Sequence, residues 1–270
     1  MILHAWLDGE RVLDSEHAVA LTNRGLHYGD GLFETMLLRA GKIRFLQTHL
    51  QRAEEGCRRL HMAAPTSELL QDLRQLPDDP QPCIVKLLLV RSGTARGYRP
   101  ALESRPLRLL LLYPWSEAPA TLRVQWCSSR WSSNTQLAGL KHLNRLEQVL
   151  AQQELGATSD EGLMLDGAGE LISATSGNVF LVTNGNLRTP DLRASGVRGV
   201  MRTEVIAAAR TAGITVEECA LWPNDVERAD EVFVTNALRG LRPVVQLEQR
   251  RWSPGAIMET LQSSLFSTYA

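Results

Sequence analysis

The constraint that most limits the fold of this chain of 270 residues is an irregular mixture of strand-like and helical patterns. "CIVKLLLV" (83–90) and "LRLLLLY" (107–113) are apolar runs of strand length. By contrast, Leu46, Leu50, Ala53, Cys57 and Leu60 recur at helical spacing. Strands, hairpins and helices follow one another without a regular strand–helix–strand alternation. The sequence therefore predicts an α+β fold with two domains rather than a doubly wound sheet.

A segment without periodicity separates the two predicted domains. "YPWSEAPA" (113–120) contains two prolines and reads as a linker. We therefore expect an N-terminal α+β domain at residues 1–113, a linker at 114–120 and a C-terminal α+β domain at 121–270. The C-terminal domain includes Lys141.

Composition and charge narrow the class of protein. The net charge of −1 gives no electrostatic reason to expect nucleic acid or an anionic membrane as a partner. No apolar run approaches the roughly 20 residues of a membrane-spanning helix, and the N-terminus has no pattern of a signal peptide. The four cysteines are far apart and show no metal-binding spacing. We expect a cytoplasmic protein with a small-molecule substrate, no metal and no disulfides.

Lys141 opens the stretch "GLKHLNRLEQVL" (139–150), which has an amphipathic pattern. The pattern predicts a helix whose buried face is formed by Leu143, Leu146, Val149 and Leu150. A buried ammonium group is costly, so such a lysine either extends to water or is present for its chemistry. The pattern alone leaves both interpretations open.

Two further stretches are suited to anions. In "SGVRGVMRTE" (195–204) two glycines precede a predicted helix, and the N–H groups at a helix start can bind a phosphate. Arg52 could add a fixed guanidinium to the same phosphate. The alternatives are an ordinary turn before a helix and a surface arginine.

The loop "RSGTARGY" (91–98) places Arg91 and Arg96 close together, as a ligand rich in carboxylates would require. A solvated turn is the alternative. Tyr28 is a candidate site residue, whereas His49 and His142 have no metal-like partners and are interpreted as structural. A phosphate site, a nucleophilic lysine and a carboxylate clamp together fit pyridoxal phosphate as the cofactor.

Several motifs occur in an order and spacing that resemble the fold-type IV pyridoxal-phosphate enzymes. They are "NRGLHYGDGLFET", "THLQRAEEGCRRL", "GNVFLV…GVRGVMR" and "ADEVFVTNAL", and they cover essentially the whole chain. The family contains branched-chain and D-amino acid aminotransferases and aminodeoxychorismate lyases. "SGTARGY", "LKHLNRLEQVL" and "TNALRGLRPV" resemble the lyase branch most closely.

The resemblance implies a role for each matching residue. Lys141 would form the Schiff base with pyridoxal phosphate, and Arg52 would bind its phosphate with the backbone N–H groups of Val200 and Met201. Asn236 and Ala237 would line the cofactor pocket. Arg91, Arg96 and Tyr28 would contact the substrate. The family also implies a homodimer with part of the site near the subunit interface.

One position departs from the family pattern. Five residues before Asn178 the family usually has a glutamate that pairs with the pyridine nitrogen of the cofactor, and this chain has Ser173. Glu170 lies three residues earlier, so on a strand its side chain points to the other face. A serine can only form hydrogen bonds, and it should leave the ring nitrogen largely neutral. We expect this change to favour elimination over transamination.

The resemblance implies the conversion of 4-amino-4-deoxychorismate to 4-aminobenzoate and pyruvate, a step toward folate. Lys141 would remove the C4 proton as general base. Two alternatives remain at this stage. One is an aminotransferase for D-amino or branched-chain acids, and the other is a catalytically silent protein disabled by Ser173.

Overall fold

The fold is taken from a computed structural model that describes residues 1–12, 20–79, 81–93, 97–100 and 104–267. The chain divides into two compact units. The first comprises residues 1–117 with Lys141–Asn144, and the second comprises Ala118–Leu140 with Arg145–Ala270. Each unit contains a sheet and helices, which confirms the predicted α+β class.

The sheet of the first unit has six antiparallel strands in the order β2-β1-β6-β5-β3-β4. The strands are β1 (His4–Leu7), β2 (Glu10–Val12), β3 (Gly31–Arg39), β4 (Lys42–Ile43), β5 (Cys83–Arg91) and β6 (Pro106–Pro114). The helices are α1 (Arg24–Tyr28), α2 (Leu46–Arg59) and α3 (Thr66–Leu73). The two apolar runs at 83–90 and 107–113 form strands, as their length predicted, and these strands pair with each other.

The core of the first unit lies between α2 and one face of the sheet. Apolar residues alternate along β3 and β5, so every second side chain faces the same way. On α2 the residues Leu50, Ala53 and Cys57 are buried against Leu32 and Met36 of β3. The helical spacing seen in the sequence is therefore the face that packs on the sheet.

The segment that carries Lys141 is paired with β3. The N–H of Phe33 donates to the carbonyl of Lys141 at 3.0 Å, and the N–H of Leu143 donates to the carbonyl of Gly31 at 3.0 Å. This pairing explains why Lys141–Asn144 belongs to the first unit, although the sequence placed Lys141 in the C-terminal domain.

The second unit contains a mixed sheet of nine strands in the order β12-β11-β10-β13-β14-β7-β8-β9, with β15 paired to β14. The strands are β7 (Leu122–Trp126), β8 (Glu161–Leu165), β9 (Leu171–Ala174), β10 (Asn178–Thr183), β11 (Asn186–Pro190), β12 (Val216–Cys219), β13 (Glu231–Asn236), β14 (Gly240–Leu247) and β15 (Arg250–Arg251). The helices are α4 (Leu146–Gln153), α5 (Val200–Thr211), α6 (Pro223–Arg228) and α7 (Ala256–Phe266). In the centre, Phe180 of β10 and Phe233 of β13 stack with ring centres 5.2 Å apart.

The prediction for the helix after Lys141 is wrong in two respects. The helix begins at Leu146 rather than at the lysine, because residues 141–143 pair with a strand. In addition, three of the four residues predicted to be buried are exposed on α4, with Leu146 at 77%, Val149 at 48% and Leu150 at 55%, and the fourth, Leu143, is half-buried before the helix begins. Periodicity identified the apolar face correctly, but that face does not pack on the core of the chain.

Replacing a side chain of the first core should cost far more stability than replacing an exposed one. Leu110 of β6 is 1% exposed, so Leu110→Ala is expected to lower the free energy of unfolding by about 3 kcal/mol. Gln71→Ala, on the exposed side of α3, should change it by less than about 0.5 kcal/mol. Urea titration of both variants measures the difference, and equal losses would contradict this position of the core.

Candidate functional site

The ammonium group of Lys141 lies over an aromatic ring of β3. Its Nζ is 4.2 Å from the centre of the Phe33 ring, and the residue is half-buried. An ammonium over a ring face is attracted by the negative potential of the ring. The backbone pairing with β3 fixes the position of the Lys141 main chain, and the contact with Phe33 fixes the position of its Nζ.

The next residue of β3, Glu34, forms a buried charged cluster with α2. Its carboxylate accepts hydrogen bonds from Arg52 through Nε at 2.7 Å and through Nη2, and from Nδ1 of His49 at 2.6 Å. His49 and Arg52 are three residues apart on α2, so both side chains face the strand. The bidentate contact with Glu34 fixes the orientation of the Arg52 guanidinium.

The electrostatics of this cluster follow from its burial and its composition. Burial alone would raise the pKa of Glu34, but the charge of Arg52 and the hydrogen bonds from His49 and Arg52 hold it at about 2. Burial lowers the pKa of His49, which outweighs the opposing effect of Glu34, and the charges of Arg52 and Lys141 lower it further. Glu34 is therefore ionised at neutral pH and His49 is a neutral imidazole whose Nδ1–H donates to Glu34.

His49, interpreted from the sequence as structural, is buried and bonded to Glu34. Its Nε2 is buried and has no hydrogen-bond partner among the residues that the structure describes. With the proton on Nδ1, Nε2 can only accept a hydrogen bond. Neither His49 nor Glu34 was selected as a site residue from the sequence, because a single histidine on a helix carries no spacing signal.

Arg91 is engaged within the protein, which argues against its predicted contact with substrate. It is 5% exposed, and its Nε donates to both carboxylate oxygens of Asp30 at 3.1 and 2.9 Å. Its two terminal nitrogens donate to the carbonyls of His61 and Leu60. The guanidinium therefore links β5 to the end of α2. Its predicted partner Arg96 lies outside the described residues.

Tyr28 contacts the same loop that carries the predicted carboxylate clamp. Its hydroxyl accepts a hydrogen bond from the N–H of Gly97 at 3.2 Å, and the guanidinium of Arg24 lies 4.9 Å from its ring centre. Arg24 also donates to the carbonyls of Gly97 and Tyr98. Tyr28 and Arg24 therefore hold the end of this loop, and the substrate contact of Tyr28 stays a prediction.

In the second unit, the start of α5 is built as the sequence suggested. Asn178 accepts a hydrogen bond from the N–H of Gly199 at 3.1 Å and donates to the carbonyl of Val197 at 2.9 Å. A Cβ on Gly199 would lie 2.1 Å from Oδ1 of Asn178, so a larger residue there would displace the Asn178 side chain. No side chain caps the helix, and the first N–H groups, including those of Val200 and Met201, have no acceptor within the helix.

Two buried hydroxyl groups lie before and after α5 in the sequence. Ser195 precedes the glycine turn before α5, and Thr235 precedes Asn236 at the end of β13; neither hydroxyl has a partner among the described residues. Asn236 accepts hydrogen bonds from the N–H groups of the next turn at 3.1 and 2.8 Å, which orders the segment around Ala237. Orphaned buried hydroxyls and uncapped amides are features that a bound anion would satisfy.

Ser173 on β9 is buried and accepts a hydrogen bond from the indole Nε1 of Trp131 at 2.9 Å. This leaves the hydroxyl proton of Ser173 to be donated elsewhere. Trp131 carries no motif in the sequence, and its contact with Ser173, across 42 positions, appears only in the fold.

Other chemistries find little support in the described residues. Burial raises the pKa of the Cys57 and Cys127 thiols to about 11, so both are protonated and poor nucleophiles at neutral pH. No group of three or more His, Cys, Asp or Glu side chains in the described part of the chain is placed to hold a metal ion. No helix there has the length and apolar character needed to cross a membrane.

Known proteins of one family are similar in sequence to nearly the whole chain. The sequence profile of the amino-transferase class IV family matches residues 31–247. An aminodeoxychorismate lyase of Vibrio harveyi is 32% identical over 88% of this chain and 89% of its own length. A putative branched-chain-amino-acid aminotransferase of Methanocaldococcus jannaschii is 28% identical over 91% of this chain and 88% of its own length.

The solved structure of 4-amino-4-deoxychorismate lyase from Pseudomonas aeruginosa superimposes with a TM-score of 0.90. It is 39% identical and covers 97% of this chain and 98% of its own. The family resemblance read from the motifs is therefore confirmed.

The buried cluster predicts how stability depends on pH. The pKa of Glu34 is lower in the folded protein than its ordinary value of 4.5, so its stabilising effect is complete above pH 4.5 and is lost as the pH falls toward about 2. The Glu34→Gln variant lacks this titration. Urea unfolding between about pH 6 and pH 2 should therefore show the wild type losing a few kcal/mol of its advantage over Glu34→Gln.

The matched control is Glu55→Gln, on the exposed side of α2, where Glu55 pairs with Arg58. It should follow the pH dependence of the wild type within about 0.5 kcal/mol. A gap between wild type and Glu34→Gln that stays constant with pH would contradict the assigned ionisation of Glu34.

Proposed function

Since the chain belongs to the amino-transferase class IV family, we propose that it is a pyridoxal-phosphate-dependent aminodeoxychorismate lyase. Such an enzyme converts 4-amino-4-deoxychorismate to 4-aminobenzoate and pyruvate, a step toward folate. The observation that carries the proposal is the placement of Lys141 beside β3 and over the ring of Phe33, in a chain similar to two lyases over almost its full length.

The described residues fit the cofactor at several atoms. The uncapped amides of Val200 and Met201 and the oriented guanidinium of Arg52 are suited to a phosphate. The buried hydroxyl of Thr235 is an unused donor next to Asn236 and Ala237, which we assign to the cofactor pocket by resemblance. These residues belong to both units of the chain, and their shared assignment rests on the family motifs.

Pyridoxal phosphate supplies an aldehyde that condenses with amines and a conjugated ring that accepts electrons. Lys141 is the residue that would hold the aldehyde, and its Nζ would be the base that removes the proton from C4 of the substrate. Loss of that proton and cleavage of the bond to the enolpyruvyl oxygen leave an aromatic ring. The enolpyruvate takes up one proton and becomes pyruvate, so the atoms balance.

Ser173 stands where the family usually has a glutamate, and its contact with Trp131 fits a neutral partner for the ring nitrogen. Because Trp131 donates to Oγ, the hydroxyl proton is available for an unprotonated nitrogen. A neutral ring withdraws electrons less strongly than a protonated one. Formation of an aromatic product supplies its own driving force, so the lyase reaction tolerates this weaker electron sink better than transamination does.

The aminotransferase alternative is favoured by similarity to curated aminotransferases, among them a putative branched-chain-amino-acid aminotransferase. Both reactions use the same cofactor and the same lysine. Ser173 and the lyase-like motifs argue for elimination. Because cofactor binding is common to both reactions, only analysis of the products distinguishes the lyase from the aminotransferase.

We also propose that the protein is a cytoplasmic homodimer. The exposed residues Leu146, Val149 and Leu150 occupy one face of α4, at spacings of three and four residues. A contiguous exposed apolar face of this kind is typical of a protein–protein contact. A second copy of the chain is the partner that the family resemblance implies.

Product analysis tests the proposed reaction. The purified holoenzyme is incubated with enzymatically generated 4-amino-4-deoxychorismate, and 4-aminobenzoate and pyruvate are measured together. We expect equal amounts of both products, a loss of at least about a thousandfold in Lys141→Ala, and little change in Lys42→Ala. A parallel reaction contains D-alanine or leucine with a 2-oxo acid, and transamination without 4-aminobenzoate would refute the lyase proposal.

Ser173→Glu tests the assigned role of the serine. The carboxylate should favour a protonated ring nitrogen, so pyruvate formation from D-alanine in a single turnover should rise about tenfold. Ser173→Gln has a similar size without the charge and should show no gain. Absorbance of the bound cofactor verifies that each variant is loaded, and an equal response of both variants would argue against the electrostatic explanation.

Leu150→Glu tests the α4 contact. A charge in an apolar interface is costly, so light scattering should show a shift from a dimer toward the 30.0 kDa chain. Gln153→Glu adds a charge at an exposed position of the same helix and should leave the mass unchanged. A wild type that is already monomeric would rule out the proposed interface.

A further inference from the structure

Lys86 lies in the middle of β5, on the sheet face that does not pack on α2. Its strand neighbours Val85 and Leu87 are buried in the core, so the alternation of the strand turns Lys86 to the opposite face. Across the ladder Lys86 is paired with Thr35 of β3 and Leu111 of β6. It is therefore a half-buried cation on a face whose other members are mostly apolar.

The ammonium of Lys86 has no carboxylate partner within the described residues. Its one contact there is with the ring of Phe33, whose centre lies 5.7 Å from Nζ. A half-buried ammonium without an anion is unfavourable, since burial removes water without providing a counter-charge. Extension of the side chain to water is the ordinary explanation, and it predicts no effect on ligand binding.

The same aromatic ring connects Lys86 to the candidate active site. Lys141 lies 4.2 Å from the centre of the Phe33 ring, so the two ammonium groups are at most about 10 Å apart. The chain contains only three lysines among its 29 basic residues, and two of them share this ring. Two cations this close repel each other, and an anion near Lys86 would offset that repulsion.

The proposed substrate carries two carboxylates, and one predicted cation is unavailable for them. Arg91 is buried and donates to Asp30 and to two backbone carbonyls. We propose that Lys86 binds one carboxylate of the substrate while Lys141 acts at the amine-bearing carbon. Phe33 then separates the carboxylate-binding cation from the reacting one. This inference rests on the proposed function for the identity of its ligand.

Two variants of Lys86 separate charge from packing. Lys86→Met keeps an unbranched stem on the apolar face and removes the charge, whereas Lys86→Arg retains a cation. With 4-amino-4-deoxychorismate as substrate, we expect Lys86→Met to raise KM about tenfold or more and to change kcat less than about threefold. Lys86→Arg should recover most of the loss in KM. Lys42→Met, at the exposed third lysine, should behave as wild type.

The role of Lys86 in binding can also be measured without catalytic turnover. The 4-hydroxy analogue of the substrate has the same two carboxylates and no amine, and its Kd for the holoenzyme is obtained from tryptophan fluorescence. Lys86→Met should weaken this binding by the same factor as KM, with unchanged cofactor absorbance and an unchanged melting temperature. Equal Kd values for wild type, Lys86→Met and Lys42→Met would overturn the proposal.

The two proposals fail in different ways. If the wild type forms no 4-aminobenzoate, the proposed function is wrong, and the Kd series still decides whether Lys86 binds a dicarboxylate. If the wild type forms product and Lys86→Met has the same KM and Kd, the function stands and the role of Lys86 is refuted. A large drop in kcat with unchanged KM would also refute it, because a carboxylate ligand acts first on binding.

Discussion

Backbone pairing between the Lys141 segment and β3 is the interaction on which the rest of the candidate site depends. Two hydrogen bonds join Phe33 to Lys141 and Leu143 to Gly31, across more than a hundred positions of the chain. They remove the lysine from the helix that its local sequence favours. They also place its side chain beside Phe33, which is followed in the strand by Glu34. One strand therefore holds the lysine and carries the buried carboxylate.

Glu34 is a buried charge that is stabilised by its partners and that orients them. Desolvation opposes its ionisation, and the bidentate contact with Arg52 and the hydrogen bond from His49 more than offset it. In return, the carboxylate fixes the orientation of Arg52 and the tautomer of His49. Removing one partner of such a cluster leaves the other groups buried without compensation, so the three residues act as a unit.

In the second unit, the candidate site residues are positioned by hydrogen bonds between neutral groups. Asn178 forms hydrogen bonds with the backbone of the turn before α5, and the indole N–H of Trp131 donates to the hydroxyl oxygen of Ser173. A hydroxyl with its oxygen already engaged can donate but supplies no negative charge. Under the proposed function, this arrangement stabilises the cofactor without strengthening its electron sink, whereas the lysines Lys86 and Lys141 concentrate positive charge near Phe33.

The sequence by itself determined the α+β class, most strands, the buried face of α2 and the family, because these follow from local periodicity and from motifs with fixed spacing. It also identified Lys141 and the glycine turn at α5 as candidates. It could not determine that Leu150 is exposed or that Arg91 is buried beside Asp30, since periodicity identifies an apolar face without specifying what covers it. Only the tertiary structure decided which distant groups meet, as in the contact of Trp131 with Ser173. Long-range pairing depends on the packing of the whole sheet, and no local pattern encodes it.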